Sequence, residues 1–295
     1  MNRVDKAKKY LTLVQNSDGG WGYYPGISSS LEPTIYAALA LYSNGKRLDG
    51  SARRAFDWLA TQQKSNGALS LPGQTEDHWS TLLYLLALVH TGEPTSIYEK
   101  VVEWALNYRS SASENGDEVT LDAGLIGWGW AWATFGWVEP TSYALLALKR
   151  AGKSNHSRIA EGMRLLFDRA CADGGWNYGN REVLGQQLTS YIPTTALATL
   201  TLQNEFSARA VIDQGLAYIR REIGSNLSAL NLALTILCFD VFGEPTNDLR
   251  RLLFSRQNDE GSWRDNVHLT SLSVLALDAT DKERTDAGGG NVFRI

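Results

Sequence analysis

A sixfold alternation runs through nearly the whole chain. Each unit is a charged helical stretch, a loop rich in Gly, Asp, Asn and Trp, and a second helix rich in Ala and Leu. The first unit reads KAKKYLTLVQ, NSDGGWGYYPG and EPTIYAALALYSNGK; the sixth reads TNDLRRLLFSRQ, NDEGSW and DNVHLTSLSVLALDAT. Repeats of this length cannot bury their apolar faces alone, so each must pack on its neighbours. First helices carry charge on one face, as in Arg53, Arg54 and Asp57 beside Phe56, Trp58 and Leu59, the pattern of an outer helix. Second helices, such as Ala37–Leu41, Leu82–Val89 and Leu272–Leu277, are apolar nearly all round and belong inside. Six outer and six inner helices imply an all-α, closed (α/α)6 toroid of twelve main helices, with no sheet. Residues 1–284 form one domain, and 285–295, with Gly288–Gly290, are expected to be a loosely ordered tail. An open solenoid is the alternative, but neither end carries a polar capping unit.

In such a toroid the inner helices run parallel, and their N-termini meet at one mouth. Their dipoles and unpaired N–H groups favour anions there. The residues at these starts are Glu32, Asp77 with His78, Glu139, Ile192, Ser228 and Asp265 to His268. The most concentrated stretch is Gly127–Gly152, GWGWAWATFGWVEPTSYALLALKRAG, where Trp128, Trp130, Trp132, Trp137 and Phe135 precede Glu139 and a first-turn proline. This pattern makes Glu139 the leading candidate acid, with Glu32 and Asp77 as further catalytic candidates. The four Trp residues, with Tyr36, Tyr143, His78 and His268, are the expected ligand lining. Packing between helices is the competing reading for the Trp residues, and helix capping for Glu139. Two connections, 110–137 and 173–191, exceed ordinary length and are read as lids or linkers; the first holds Glu114, Asp117, Glu118 and Asp122.

Composition narrows the partners. A formal net charge of −4, pI near 5.6 and no run of basic residues argue against nucleic acid. Cys171 and Cys238 are far apart, which suits a reducing compartment and excludes a disulfide framework. The charged start MNRVDKAKKYL has no signal core and no apolar run reaches spanning length, so a cytoplasmic location is expected. Ten Trp and twelve Tyr supply large apolar faces with polar tips, a lining for bulky apolar, cationic or sugar ligands.

The loops QNSDGGWG (Gln15–Gly22), ADGGWN (Ala172–Asn177) and RQNDEGSW (Arg256–Trp263) resemble the QW-type repeat of the squalene-hopene cyclase and protein prenyltransferase superfamily. The resemblance implies a toroid with an aromatic central cavity for isoprenoid chains. It also implies that Trp137-Val138-Glu139-Pro140-Thr141 stands where class II terpene cyclases carry D-x-D-D-T, with Glu139 on the proton-donating Asp. Trp137 and Pro140 replace its acidic neighbours, and Leu31-Glu32-Pro33-Thr34 repeats the pattern. His268 stands where prenyltransferases carry a zinc-binding His, but the Asp-x-Cys of that site is missing from LSALNLALTILC. One ligand of three does not hold zinc, so no metal and no cofactor are expected.

Three functions compete. The first is a terpenoid cyclase-like or isoprenoid-binding protein, in which a carbocation gains on the order of 2 kcal/mol from each well-placed aromatic ring. The second is a non-catalytic scaffold holding a lipid or a protein partner at the mouth, with peripheral membrane contact. The third is a carbohydrate-active toroid using Glu139 with Glu32 or Asp77, and Trp128, Trp130 or Trp132 as sugar platforms.

Overall fold

The computed structural model of the chain describes residues 2–42, 48, 50–93, 97–111, 121–224, 227–278 and 290–295. Among them are twelve α-helices: α1 (Arg3–Leu13), α2 (Leu31–Leu41), α3 (Gly50–Thr61), α4 (Ser80–Thr91), α5 (Tyr98–Asn107), α6 (Val138–Arg150), α7 (Ser157–Asp168), α8 (Ile192–Thr201), α9 (Arg209–Glu222), α10 (Ala229–Phe242), α11 (Asn247–Ser255) and α12 (Val267–Asp278). Glu114, Asp117 and Glu118 of the first long connection lie outside the described residues.

The even-numbered helices form the inner ring. Each packs on the next, α2 on α4, α4 on α6, α6 on α8, α8 on α10 and α10 on α12, and α12 packs on α2 to close it. Their burial explains their composition: every residue of α6 from Pro140 to Lys149 is buried. Ala and Leu suit such positions, combining good helix propensity with apolar surface. Left-handed glycines at Gly92 and Gly243 stop α4 and α10. Outer helices pack mainly their apolar stripe, though α7 and α11 also bury Arg158 and Arg250. The second long connection contains a two-residue ladder, Glu182–Val183 against Gln186–Gln187, where the repeat pattern predicts no strand.

The loops do the stapling. Trp21, Trp128, Trp176 and Trp263 are all buried, and each indole N–H donates to a carbonyl near the end of the preceding outer helix: Leu11 at 2.8 Å, Ala105 at 2.8 Å, Leu166 at 2.7 Å and Leu253 at 2.9 Å. The backbone N–H of each Trp donates in turn to a threonine of the following inner helix: Thr34, Thr141, Thr195 and Thr270. Unit two keeps the clamp with Leu69 in place of Trp, its N–H donating to Thr81. Gln15, Gln63 and Gln257 each donate to the carbonyl of a glycine four residues on.

Closure is visible in these loops. Gly19, Gly67 and Gly261 have φ between 94° and 99°, and each lies against the outer helix of the following unit. For Gly19 that helix is α3 at Arg54, for Gly67 it is α5 at Lys100, and for Gly261 it is α1 at Lys6. Unit six therefore meets unit one as earlier units meet their successors. A Cβ on Gly261 would sit 2.8 Å from the Lys6 carbonyl oxygen. Gly261→Ala is expected to cost roughly 2–3 kcal/mol, from strain at positive φ together with this clash. Gly26→Ala, at φ 77° in open space, carries only the strain. Urea unfolding of both variants separates the terms; equal losses would mean that the seam is not tight.

The expectation of a loose tail is overturned for its end. Val292 and Phe293 are buried beneath the ring, at the end where the inner helices finish. The Asn291 amide donates to the Leu237 carbonyl at 2.6 Å, Gln203 to the Phe293 carbonyl at 2.6 Å, and Arg150 to the Val292 carbonyl. Two apolar side chains, the Gln203 and Arg150 side chains that donate to its carbonyls, and the Asn291 amide on Leu237 hold the segment down.

Candidate functional site

Chemistry gathers where α2, α4, α6 and α12 begin. Glu32 and Glu139 occupy the second positions of α2 and α6, each followed by a proline that needs no N–H there. The thread that locks each start is the threonine next along, Thr34 or Thr141, bonded to the stapled Trp. Local sequence and staple together aim both carboxyl groups the same way.

Glu32 is held. The Tyr23 hydroxyl donates to its Oε2, and His268 Nε2 lies 3.8 Å from its Oε1. The His268 ring packs 4.8 Å from that of Tyr36 and 6.2 Å from that of Tyr23. Burial lowers the pKa of His268 against the opposing pull of Glu32, so the neutral imidazole is favoured.

Glu139 is different. Among the described residues its carboxyl has no hydrogen-bond or ion-pair partner. Burial raises its pKa to about 8, and the neighbouring Glu32 carboxylate pushes in the same direction. The helix-dipole contribution, which favours the anion by about 1 kcal/mol, is too small to reverse this. Glu139 is therefore a neutral acid at neutral pH, lying within the first turn of α6 and not at its cap.

Tyr36 and Tyr143 lie deeper, fully enclosed, their hydroxyl oxygens 2.5 Å apart in a bridge from α2 to α6. Trp79 covers Tyr143 at 5.8 Å between ring centres and meets Trp130 edge-on at 4.8 Å. His78 lies beside Trp79 at 6.0 Å, and its Nδ1 accepts from the Ser80 N–H at the start of α4. Burial lowers its pKa too.

Of the residues expected at the site, Glu139, Glu32, Tyr36, Tyr143, His78, His268 and Trp130 come together. Asp77 does not. Its carboxylate is taken by Lys64, by Asn66 at 3.1 Å and by the Trp104 indole N–H at 2.7 Å, a clasp between loop and outer helix. Trp128 is a staple with no exposed surface, its indole N–H on the Ala105 carbonyl. Trp132 is 55% exposed and packs on Tyr108, and Trp137 packs edge-on to Phe135. The GWGWAWATFGW loop thus divides its tryptophans between staple, surface and site, as the chain turns at Ala131–Thr134, where the Thr134 N–H donates to the Ala131 carbonyl and Ala133 takes a φ of 55°.

Sequence reasoning misses Tyr23 and Trp79. Both had a signal: Tyr23 follows the stapled Trp21 by two residues, and Trp79 adjoins His78 at an inner-helix start. Three of the clamping threonines had a local mark as well, Thr34, Thr141 and Thr195 each following a proline by one or two residues at an inner-helix start. Among the described residues, no three His, Cys, Asp or Glu side chains group as a metal site would need, and no helix is long and apolar enough to cross a membrane.

No protein-family model matches the chain. A stretch of 101 residues is 36% identical to drimenyl diphosphate synthase of Streptantibioticus cattleyicolor, covering 31% of this chain and 19% of that synthase. The match thus spans about a fifth of the length of this relative. The type II terpene cyclase MstE from Scytonema superposes with a TM-score of 0.63 over 94% of this chain and 96% of its own, at 13% identity. Structures of MstE variants hold its substrate, geranylgeranyl dihydroxybenzoate, and its product, merosterolic acid A. Escherichia coli alpha-2-macroglobulin also superposes, with a TM-score of 0.52 over 92% of this chain and 17% of its own, at 17% identity. The fold is therefore a terpene cyclase-like α/α toroid, an architecture that also serves proteins of other kinds.

Proposed function

We propose that the chain takes a bulky isoprenoid-like molecule into the mouth of the toroid and cyclises it by proton transfer from Glu139. The observation that carries this reading is Glu139 itself, an unpaired acid whose pKa burial raises to about 8, close enough to Glu32, Tyr23, Tyr36 and Tyr143 to act on them electrostatically. The likeness to MstE and the drimenyl diphosphate synthase stretch support the substrate class.

In this mechanism the Glu139 O–H protonates a terminal alkene carbon or epoxide oxygen, leaving a carboxylate. The cation is attacked by the next double bond, and rings form in succession. The last cation loses a proton to the Glu32–His268 pair, and solvent protons reset Glu139. Mass is unchanged overall. A pKa raised from 4.5 to about 8 weakens the acid, at a cost of about 5 kcal/mol in driving force. Two or three aromatic faces at about 2 kcal/mol each offset that for the cation, and an epoxide, being more basic than an alkene, requires less.

A second reading, a non-catalytic lipid- or protein-binding scaffold, draws on the exposed apolar residues of the mouth loops, Tyr24, Ile27, Trp132, Tyr178, Leu184 and Tyr191. The same rim suits peripheral membrane contact. The carbohydrate reading keeps Glu139 with Glu32 and Trp130 as a platform, but not Trp128, which is buried, Trp132, which stands apart, or Asp77, which is paired. Incubation with farnesol, geranylgeraniol and their terminal epoxides, followed by gas chromatography and mass spectrometry, decides between the first two. Conversion to a product of equal mass with fewer double bonds is expected; binding without conversion would leave the scaffold.

A further inference from the structure

The clamp between loop and inner helix puts the units in register with one another. Two residues before the clamping threonines stand Glu32, Trp79, Glu139, Pro193 and His268, one position of the repeat at successive inner-helix starts. Two residues after the clamped Trp21, Trp128 and Trp176 stand Tyr23, Trp130 and Tyr178. This second position reaches the preceding unit. The Tyr23 carbonyl accepts from the Val267 N–H of α12 at 2.9 Å, and the Tyr178 carbonyl accepts from the Val138 N–H of α6 at 3.0 Å. Glu32 and Glu139 therefore occupy equivalent places, yet they are treated differently. The Tyr23 hydroxyl donates to Glu32. At the matching place in unit three stands Trp130, which meets Trp79 and makes no hydrogen bond to Glu139.

We propose that Tyr23 is the positioning residue that separates the roles of the two glutamates, holding Glu32 as the proton acceptor so that Glu139 keeps its proton. The catalytic meaning of this division rests on the reading of Glu139 as the acid of the reaction. Two equivalent carboxyls within each other's field titrate as a pair and share a proton between them. A donor on one of them favours the charge there and leaves the proton on the other. The remaining titratable groups that face the pair do not supply this asymmetry. Tyr36 of α2 and Tyr143 of α6 bond to each other, and His78 accepts from the Ser80 N–H. His268 of α12 is kept neutral by burial, and its Nε2, 3.8 Å from Glu32, is beyond hydrogen-bond reach. Among the described residues, Tyr23 is the group that donates to either carboxyl. Burial and the Glu32 charge both raise its own pKa, so the phenol holds the proton that it shares.

The test follows both carboxyls by carbon NMR of the full chain with isotope-labelled glutamate side chains. Glu32→Gln and Glu139→Gln each remove one signal and so assign the two. Wild type and Tyr23→Phe are then titrated across the acid and neutral range. In Tyr23→Phe the gap between the two midpoints is expected to narrow by about one pH unit, the size of a hydrogen bond to a charged group. The proton moves from Glu139 toward Glu32. Phenylalanine keeps a ring beside His268, so a role in packing alone leaves the gap as it is. An unchanged gap, or both midpoints moving the same way, would overturn the proposal. Should Tyr23→Phe fail to fold, Tyr23→Trp, which gives unit one the residue that unit three carries, decides on the same gap. If the wild type converts none of the isoprenoids, the cyclisation reading falls, while the midpoints still decide what Tyr23 does. Conversion by the wild type with an unmoved gap in the variant sinks this proposal alone.

Discussion

Glu139→Gln is expected to remove product formation, by roughly 10²–10⁴-fold, and to make the protein more stable at pH 8 than the wild type. The two effects share a cause. In the folded protein the carboxyl titrates at about 8, against an ordinary value of 4.5. Below pH 4.5 it is protonated both folded and unfolded, so it contributes nothing to the pH dependence. Between 4.5 and 8 the unfolded chain releases its proton while the folded one keeps it, and the unfolded state gains. Stability thus falls as pH rises through that window, by at most about 5 kcal/mol for this group. Gln does not titrate, so the variant escapes the fall. Its amide is itself half-buried and would lack partners no less than the carboxyl does, which trims the gain at every pH but leaves the slope absent. Urea unfolding of both proteins at pH 4.5 and pH 8 measures the difference directly. His90, whose pKa burial and Arg150 lower to about 3, adds a loss of stability on the acid side. That loss is common to both proteins and cancels in the comparison. Unchanged turnover would make Glu139 a bystander, and a stability difference that does not grow with pH would mean that its carboxyl is not desolvated.

Trp128→Ala and Trp130→Ala, two residues apart, are expected to fail in opposite ways. Trp128 is buried with its N–H on the Ala105 carbonyl, its face 4.2 Å from the Arg158 guanidinium carbon and its edge against Gly162, where a Cβ would lie 2.7 Å from the ring. Truncation leaves a cavity, an unpaired carbonyl and a buried arginine without its aromatic cover. The expected cost is about 3–5 kcal/mol, seen as a fall in the unfolding midpoint. Trp130 is half-buried and, among the described residues, meets one aromatic partner, Trp79. Its loss should cost about 1 kcal/mol of stability but weaken binding of geranylgeraniol by about tenfold. The reverse outcome, with Trp128→Ala folded normally and deficient in binding, would return Trp128 to the ligand site.

Much of the architecture was legible in the chain because it is periodic. Six alternations of amphipathic and all-apolar helix admit few arrangements, and the ring of even-numbered helices follows from which stretches have no polar face. The positions of Glu32 and Glu139 at inner-helix starts were equally legible, because proline and threonine mark a helix start locally. What the sequence could not convey is direction. Asp77 begins an inner-helix approach as Glu32 does, yet it turns outward to Lys64 and Trp104, residues from an earlier loop and a later helix. Trp128 and Trp130 are chemically alike in sequence, and only the fit of one indole against Gly162 and Ala105 separates staple from site. The raised pKa of Glu139 also belongs to the tertiary structure, since desolvation is produced by every helix that surrounds the group. Phe293 is the clearest case. Nothing local in a glycine-rich tail tells of burial, because what seats it is the apolar gap of the finished ring and the Gln203 and Arg150 side chains that donate to its carbonyls from distant parts of the chain.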